Sequence, residues 1–283
     1  MDKPITRAND PSAALLALSE KYPFAACGHI GKSLLGREIP FLRVGTGDKS
    51  LVYFAGDSAC DLISEQLLLQ FADDLCAFIQ KDRPFWGICP CYLLQTRSLY
   101  ILPRINPDGR ALSLFGADPG CPLYERQLRR NGMKEDFSAW KGNARGVIPG
   151  LNFNLDFVKR RNAHSLHADE GDSMGEFPES EHESAALAGA LRTLTPLCLV
   201  QVSEGEGQTF TLGASESVCR RLGEKASPDR NFPSLPGAWY HSQYRRPAIL
   251  FTESSGDKIA YIRLREHFFE IIRLFCAPNA TKL

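Results

Sequence analysis

Apolar and polar positions along this chain alternate between two periods, one fitting short strands and the other amphipathic helices. The most informative stretch is residues 51–71, LVYFAGDSACDLISEQLLLQF. Its first five residues are an apolar run that reads as a buried strand. Gly56 and Asp57 turn the chain. From Asp61 onward, Leu62, Ile63, Leu67, Leu68 and Phe71 fall close to helical spacing. Strand, sharp turn and helix put the turn at the carboxyl end of a strand, where open α/β sheets keep their chemistry.

The same reading extends in both directions. Residues 12–22 read as an amphipathic helix with Leu15, Leu16 and Leu18 inward and Pro23 as its stop. Residues 24–30 and 39–44 read as strands around a hairpin-like GKSLLGRE turn, and the helix after the central strand runs to about Ile79. Residues 83–96 look irregular, 99–102 a strand, and Asn106-Pro-Asp-Gly109 a turn. Residues 116–157 and 160–179 show little periodicity, and so long an irregular region inside a compact domain points to function. Residues 180–194 read as a helix that Ser180 caps, with Glu181 and Glu183 favouring its N-terminus and Pro196 closing it. Residues 197–202 and 248–252 read as strands, 216–225 and 259–276 as helices, and 227–240 as a loop. Strands alternating with helices from end to end argue a single α/β domain over residues 1–283.

Composition narrows the function classes. The 33 basic and 33 acidic residues cancel, which removes the basic surplus that a nucleic-acid partner needs. No apolar run is long enough to span a bilayer, so no membrane partner is expected. The opening MDKPITRANDPS has no apolar signal core, and a cytoplasmic location is expected. Nine cysteines scattered without framework spacing fit reduced thiols in the cytosol. Cys89-Pro-Cys91 is the one close pair and reads as two half-buried thiols, because no second pair follows at zinc-finger spacing.

Several short stretches, taken together, resemble the zinc carboxypeptidases, most closely the bacterial branch that trims γ-D-glutamyl cell-wall peptides. They are Gly31-Lys-Ser-Leu-Leu-Gly36-Arg37, the 51–71 unit, and Leu102-Pro-Arg-Ile-Asn106-Pro-Asp-Gly109. Further on come Trp140-Lys-Gly-Asn143-Ala-Arg145-Gly146, Gly150-Leu-Asn-Phe-Asn154, Pro178-Glu-Ser-Glu181, and Arg245-Arg246-Pro247 leading to Phe251-Thr252-Glu253. Their order and their spread over nearly the whole chain carry the resemblance. It implies a central mixed β-sheet with helices on both faces and a cleft at the strand ends. It also implies a zinc held by a His-x-x-Glu pair and a later His, a glutamate general base, and basic and amide groups for a substrate carboxylate.

The resemblance breaks at the metal. Ser58 stands where the first His belongs, Asp61 where the Glu belongs, and Ser203 where the second His belongs. A neutral hydroxyl is a poor zinc ligand, and one aspartate cannot hold zinc at useful affinity. No bound cofactor is therefore expected, and zinc enters only if the ligands lie elsewhere. Glu253 matches the general base and Asn154 the carboxylate-binding Asn. Leu155 replaces an Arg common in the family, leaving Arg145 and Lys141 as the basic candidates. His167-Ala-Asp-Glu170 has the His-x-x-Glu spacing but lies in a polar loop. His29, His182, His241 and His267 read as structural or exposed. Cys60 lies at a helix N-terminus without a histidine placed as its base. The expected function is binding of peptide or cell-wall-peptide carboxylates without family-type hydrolysis. The alternatives are an active metallopeptidase with a non-standard metal site and an interaction protein with an unused cleft.

Overall fold

The computed structural model describes residues 10–164, 173–222, 232–254 and 256–276. Its centre is one seven-stranded mixed sheet in the order β1-β2-β4-β3-β5-β7-β6. The strands are β1 (Ala25–Lys32), β2 (Glu38–Val44), β3 (Lys49–Phe54), β4 (Arg97–Leu102), β5 (Cys198–Glu204), β6 (Thr209–Leu212) and β7 (Ala248–Glu253). The four strands β4, β3, β5 and β7 run parallel; β2 pairs antiparallel with both β4 and the edge strand β1, and the other edge strand, β6, pairs antiparallel with β7. The chain leaves β3 toward β4 on one side and later returns to β5 on the other. That reversal opens a crevice at the carboxyl ends of β3 and β5.

Alternation along the strands divides the apolar side chains between two cores. Leu51 and Tyr53 of β3, Val200 and Val202 of β5, and Ile249 and Phe251 of β7 share one face. That face packs on α1 (Pro11–Lys21), α2 (Leu62–Gln80) and α10 (Lys258–Cys276). Val52, Phe54, Leu199 and Ala248 turn the other way, onto α7 (His182–Leu194) and α9 (Leu235–Tyr244). Apolar burial on both sides explains why the central strands read as continuous apolar runs.

Some expectations need correction. Leu16 is 51% exposed, whereas Leu15 is buried in the core and Leu18 packs against it partly buried. Asn106-Pro-Asp-Gly109 opens a helix, α4 (Pro107–Phe115), rather than making an isolated turn: Asn106 Oδ1 accepts the Gly109 amide at 3.0 Å. Stretches that look irregular contain α3 (Pro90–Thr96), α5 (Tyr124–Arg130), α6 (Phe157–His164) and α9, all short or polar. The helix read at 216–225 is α8 (Glu216–Arg221), with residues from 223 onward outside the described ones. The edge strand β6 gave no recognisable pattern. Glu181, not Ser180, holds the cap position of α7. Cys89 and Cys91 are both exposed rather than half-buried.

Candidate functional site

The turn after β3 is pinned against the segment that follows β4. The Ala55 amide bonds the Leu102 carbonyl at 3.0 Å, and the Asn106 amide bonds the Gly56 carbonyl at 2.9 Å. Gly56 has φ +67, and a Cβ there would lie 2.9 Å from the Pro103 carbonyl oxygen, so a side chain would break this contact. Beneath it, Glu65 in the first turn of α2 and Arg104 form a buried two-point ion pair, with Arg104 Nε–Glu65 Oε2 2.8 Å and Nη2–Oε1 2.6 Å. The end of β4 and the start of α2 are thereby locked together.

Asp61 is the junction of the site. It is 2% exposed and caps α2, its Oδ1 accepting the Ser64 amide at 3.0 Å. Its Oδ2 accepts the Glu204 amide from the end of β5, also at 3.0 Å. Burial raises its pKa, and the Ser64 and Glu204 hydrogen bonds oppose that rise. Ser58 Oγ lies 3.5 Å from Cys60 Sγ. Ser203, half-buried, faces the same way as Gln201 two residues earlier. The structure thus brings the Ser58–Asp61 turn to the end of the strand carrying Ser203. As a donor set for zinc these residues do not fit. Two are hydroxyls, and each oxygen of the single carboxylate already accepts a backbone amide, so the set offers one charged oxygen donor group and no imidazole. Among the described residues, no group of three or more His, Cys, Asp or Glu is arranged to hold a metal ion. His167 and Glu170 lie outside the described residues.

A cavity of about 360 Å3 opens beside this junction, at the carboxyl ends of β5 and β7. Asp57, Gly150, Gln201, Ser203, Ser234 and Thr252 contribute to its polar part, and Leu151, Phe210, Leu235 and Leu250 to its apolar part. Gln201 Nε2 donates to Asp57 Oδ2 at 3.3 Å, and Gln201 Oε1 accepts from Ser234 Oγ. Burial first, then the Asp61 charge, pushes the Asp57 carboxyl up to about 6.

The remaining candidates do not converge on the cavity. Glu253 pairs in register with Glu204, but it shares its strand face with Phe251, not with the cavity-lining Leu250 and Thr252. Its Oε2 instead accepts from Arg263 Nη2 of α10 at 2.6 Å. Arg145 is held on Glu181, with Nη2–Oε1 2.8 Å and Nε–Oε2 3.1 Å, and on the Ser180 carbonyl at 3.0 Å. Asn154 is exposed. The buried asparagine of that segment is Asn152, whose amide bridges Met174, Phe177 and Ser180. Lys141 is exposed too, but its carbonyl accepts the Ala59 amide at 2.9 Å, which sets it beside the site's turn. Histidines 241 and 267 are structural: His241 Nδ1 meets the Arg246 carbonyl at 2.9 Å, and His267 stacks on Phe251.

Asp57, Gln201 and Ser234 escaped the reading of motifs. Gln201 left a signal, a lone amide inside the apolar run 197–202, where a buried polar group requires a partner. Ser234 left none.

Comparison with known proteins places this architecture. A family model described as zinc carboxypeptidase matches residues 12–217. The chain is 27% identical over 250 residues to gamma-D-glutamyl-L-diamino acid endopeptidase 1 of Lysinibacillus sphaericus, covering 84% of this chain and 63% of that protein. It is 31% identical over 173 residues to uncharacterized protein YqgT of Bacillus subtilis, covering 59% of this chain and 45% of that one. It therefore spans less than two thirds of either relative. Among solved structures, carboxypeptidase A from Helicoverpa armigera superposes with a TM-score of 0.65 at 14% identity, covering 94% of this chain and 72% of that one. Murein-tripeptide amidase MpaA from Escherichia coli O157 gives 0.54 at 16% identity, covering 90% and 93%. Both share the fold.

Proposed function

Because this chain belongs to the zinc carboxypeptidase family, we propose that it is a member that binds short peptides, murein peptides included, without hydrolysing them by the metal-assisted route. The observation carrying this reading is the state of Asp61. Its two carboxylate oxygens accept the Ser64 and Glu204 amides, and the residues read at the other two ligand positions are serines 58 and 203, which supply no imidazole. A second change points the same way. Glu253, at the general-base position, forms an ion pair with Arg263 on the sheet face opposite the cavity lining. The ligand class comes from the relatives, one named for a γ-D-glutamyl-L-diamino acid peptide and one for a murein tripeptide.

In this reading the cavity takes the end of the peptide. Lys141, beside the turn, is the basic contact for a free carboxylate, since Arg145 already serves Glu181. Asn154 is exposed and lies on the same segment as the cavity-lining Gly150 and Leu151. The test is calorimetric titration with an acetylated tripeptide bearing a free carboxylate, alongside a zinc-supplemented hydrolysis assay. Binding that weakens on Lys141→Ala, with no cleavage, is the expected result. Turnover that requires zinc and disappears in Glu253→Gln would overturn it.

A further inference from the structure

The first turn of α7 grips residues 140–151 at two points. At one, the fully buried Asn143 donates from Nδ2 to two carboxylates, Glu181 Oε2 at 2.8 Å and Glu183 Oε2 at 3.0 Å. At the other, Ser184 Oγ donates to the Pro149 carbonyl at 2.9 Å. The gripped segment is a wall of the crevice. Its Lys141 carbonyl accepts the Ala59 amide of the turn after β3, and its Gly150 and Leu151 line the cavity. Asn143 Oδ1 also accepts the Arg145 and Val147 amides, at 2.9 and 3.2 Å. One side chain therefore both shapes the wall and ties it to α7.

The two carboxylates that share Asn143 are unequally supported. Glu181 also accepts from the Arg145 guanidinium and the Ser180 hydroxyl. Glu183 has Asn143, and its buried Oε1 has no hydrogen-bond partner. The charges facing Glu183 are negative: Glu181 on its own helix and Asp108 on α4. The nearest printed cations are already paired to those acids, Arg145 to Glu181 and Arg37 to Asp108, each at 2.8 Å. His182, between the two glutamates, is exposed. An ionised Glu183 thus puts a second charge on one shared amide and leaves one charged oxygen bare, whereas a protonated Glu183 does neither.

From this geometry we infer that Glu183 is a proton-operated latch on the crevice wall: its neutral carboxyl holds 140–151 closed on α7, and its ionised carboxylate releases Asn143 and lets the wall open. Parting these two elements hydrates the bare oxygen while the sheet stays intact. The sign follows from the two proton affinities. In the closed wall, burial first, then the Asp108 and Glu181 charges, pushes Glu183 up to about 7, whereas a hydrated glutamate ionises near 4.5. The opening constant therefore rises by up to about tenfold per pH unit between those values and levels off above them. The latch governs entry to the crevice whatever ligand enters, so it stands independently of the peptide-binding reading.

Amide hydrogen exchange of the full chain without ligand, at pH 5, 6.5 and 8, tests the latch, each rate being corrected for the intrinsic pH dependence of exchange. Protection over 140–151 should lie below that of β3 and α2 and fall by more than about tenfold from pH 5 to pH 8. Glu183→Gln keeps an acceptor for Asn143 and carries no charge, so its fall should be under about twofold. His182→Asn should keep the native fall. Protection over 140–151 that ignores pH, or that changes only in step with β3 and α2 through global unfolding, overturns the inference. So does a fall that persists in Glu183→Gln or disappears in His182→Asn. Where Glu183→Gln does not fold, the native chain and His182→Asn decide the matter by the same comparisons.

Discussion

The carboxyl of Glu183 is fully buried at the start of α7, with Oε2 on Asn143 Nδ2 at 3.0 Å and Oε1 without a hydrogen-bond partner. Burial first, then the nearby Asp108 and Glu181 charges, pushes it from 4.5 up to about 7. The folded protein thus holds this proton more tightly than the unfolded chain does. Its contribution to stability is full below about 4.5 and is lost as the pH rises through about 7, a span worth roughly 3 kcal/mol. Glu183→Gln, which has no charge to bury, should remove most of that loss. Denaturant titrations at pH 5 and pH 8 check it, and an unchanged pH dependence in the variant would contradict it. Arg145 makes a separate case. Its guanidinium is partly exposed, but Glu181 beneath it is 2% exposed, so Arg145→Ala leaves a buried carboxylate short of two donors. The expected cost is roughly 1–3 kcal/mol of stability, with little change in peptide affinity. A variant that stays as stable as the parent but binds peptide much more weakly would return Arg145 to the site.

Elements with strong apolar periods were legible in the sequence; those held by polar contacts were not. β3, β5, β7, α2 and α10 were all visible as runs or stripes because apolar burial shaped them. The short helices α3 and α5 are too brief to show a period, and α9 begins at Ser234 capping its own first turn. At the site, the turn after β3 and the strand carrying Ser203 were readable, since both are framed by flanking apolar residues. The sheet face of Glu253 and the capture of Arg145 by Glu181 were not, because both depend on partners distant in sequence. The Glu65–Arg104 pair illustrates such a partner. It ties α2 to the end of β4 across 39 residues, with both side chains nearly fully buried. Glu65→Ala removes the carboxylate that both Arg104 Nε and Nη2 bond and should cost about 3–5 kcal/mol, whereas replacing both residues with methionine should cost far less. Chemical denaturation of the single and double variants measures the difference. Equal losses in the two would show that the pair itself adds little beyond packing.

Across the whole molecule, the family scaffold is present, and the proposed function places the change at its centre. The sheet order, the crevice at the ends of β3 and β5, and the ladder joining β5 to β7 are in place. In the proposed reading what differs is local: hydroxyls, Ser58 and Ser203, at two ligand positions, and at the third Asp61, which joins α2 to the end of β5 through the Ser64 and Glu204 amides. The triple change Ser58→His, Asp61→Glu, Ser203→His should rebuild a two-His, one-Glu zinc set on this frame. A ligand binding only the folded state adds RT ln(1 + [L]/Kd), roughly 3 kcal/mol at a hundredfold excess over Kd. The triple variant should therefore melt higher with zinc, and no zinc-dependent shift in a folded triple variant would mean that the assigned register is wrong.

The most direct measurement is the zinc content of the native chain, purified without chelator, equilibrated with micromolar zinc under reducing conditions and dialysed. Cys89 and Cys91 are exposed, so the same assay on a Cys89→Ser, Cys91→Ser variant removes adventitious thiol binding. The account predicts zinc far below one ion per chain, unchanged by Asp61→Asn. Near-stoichiometric zinc that survives loss of the two cysteines and disappears with Asp61→Asn would contradict it.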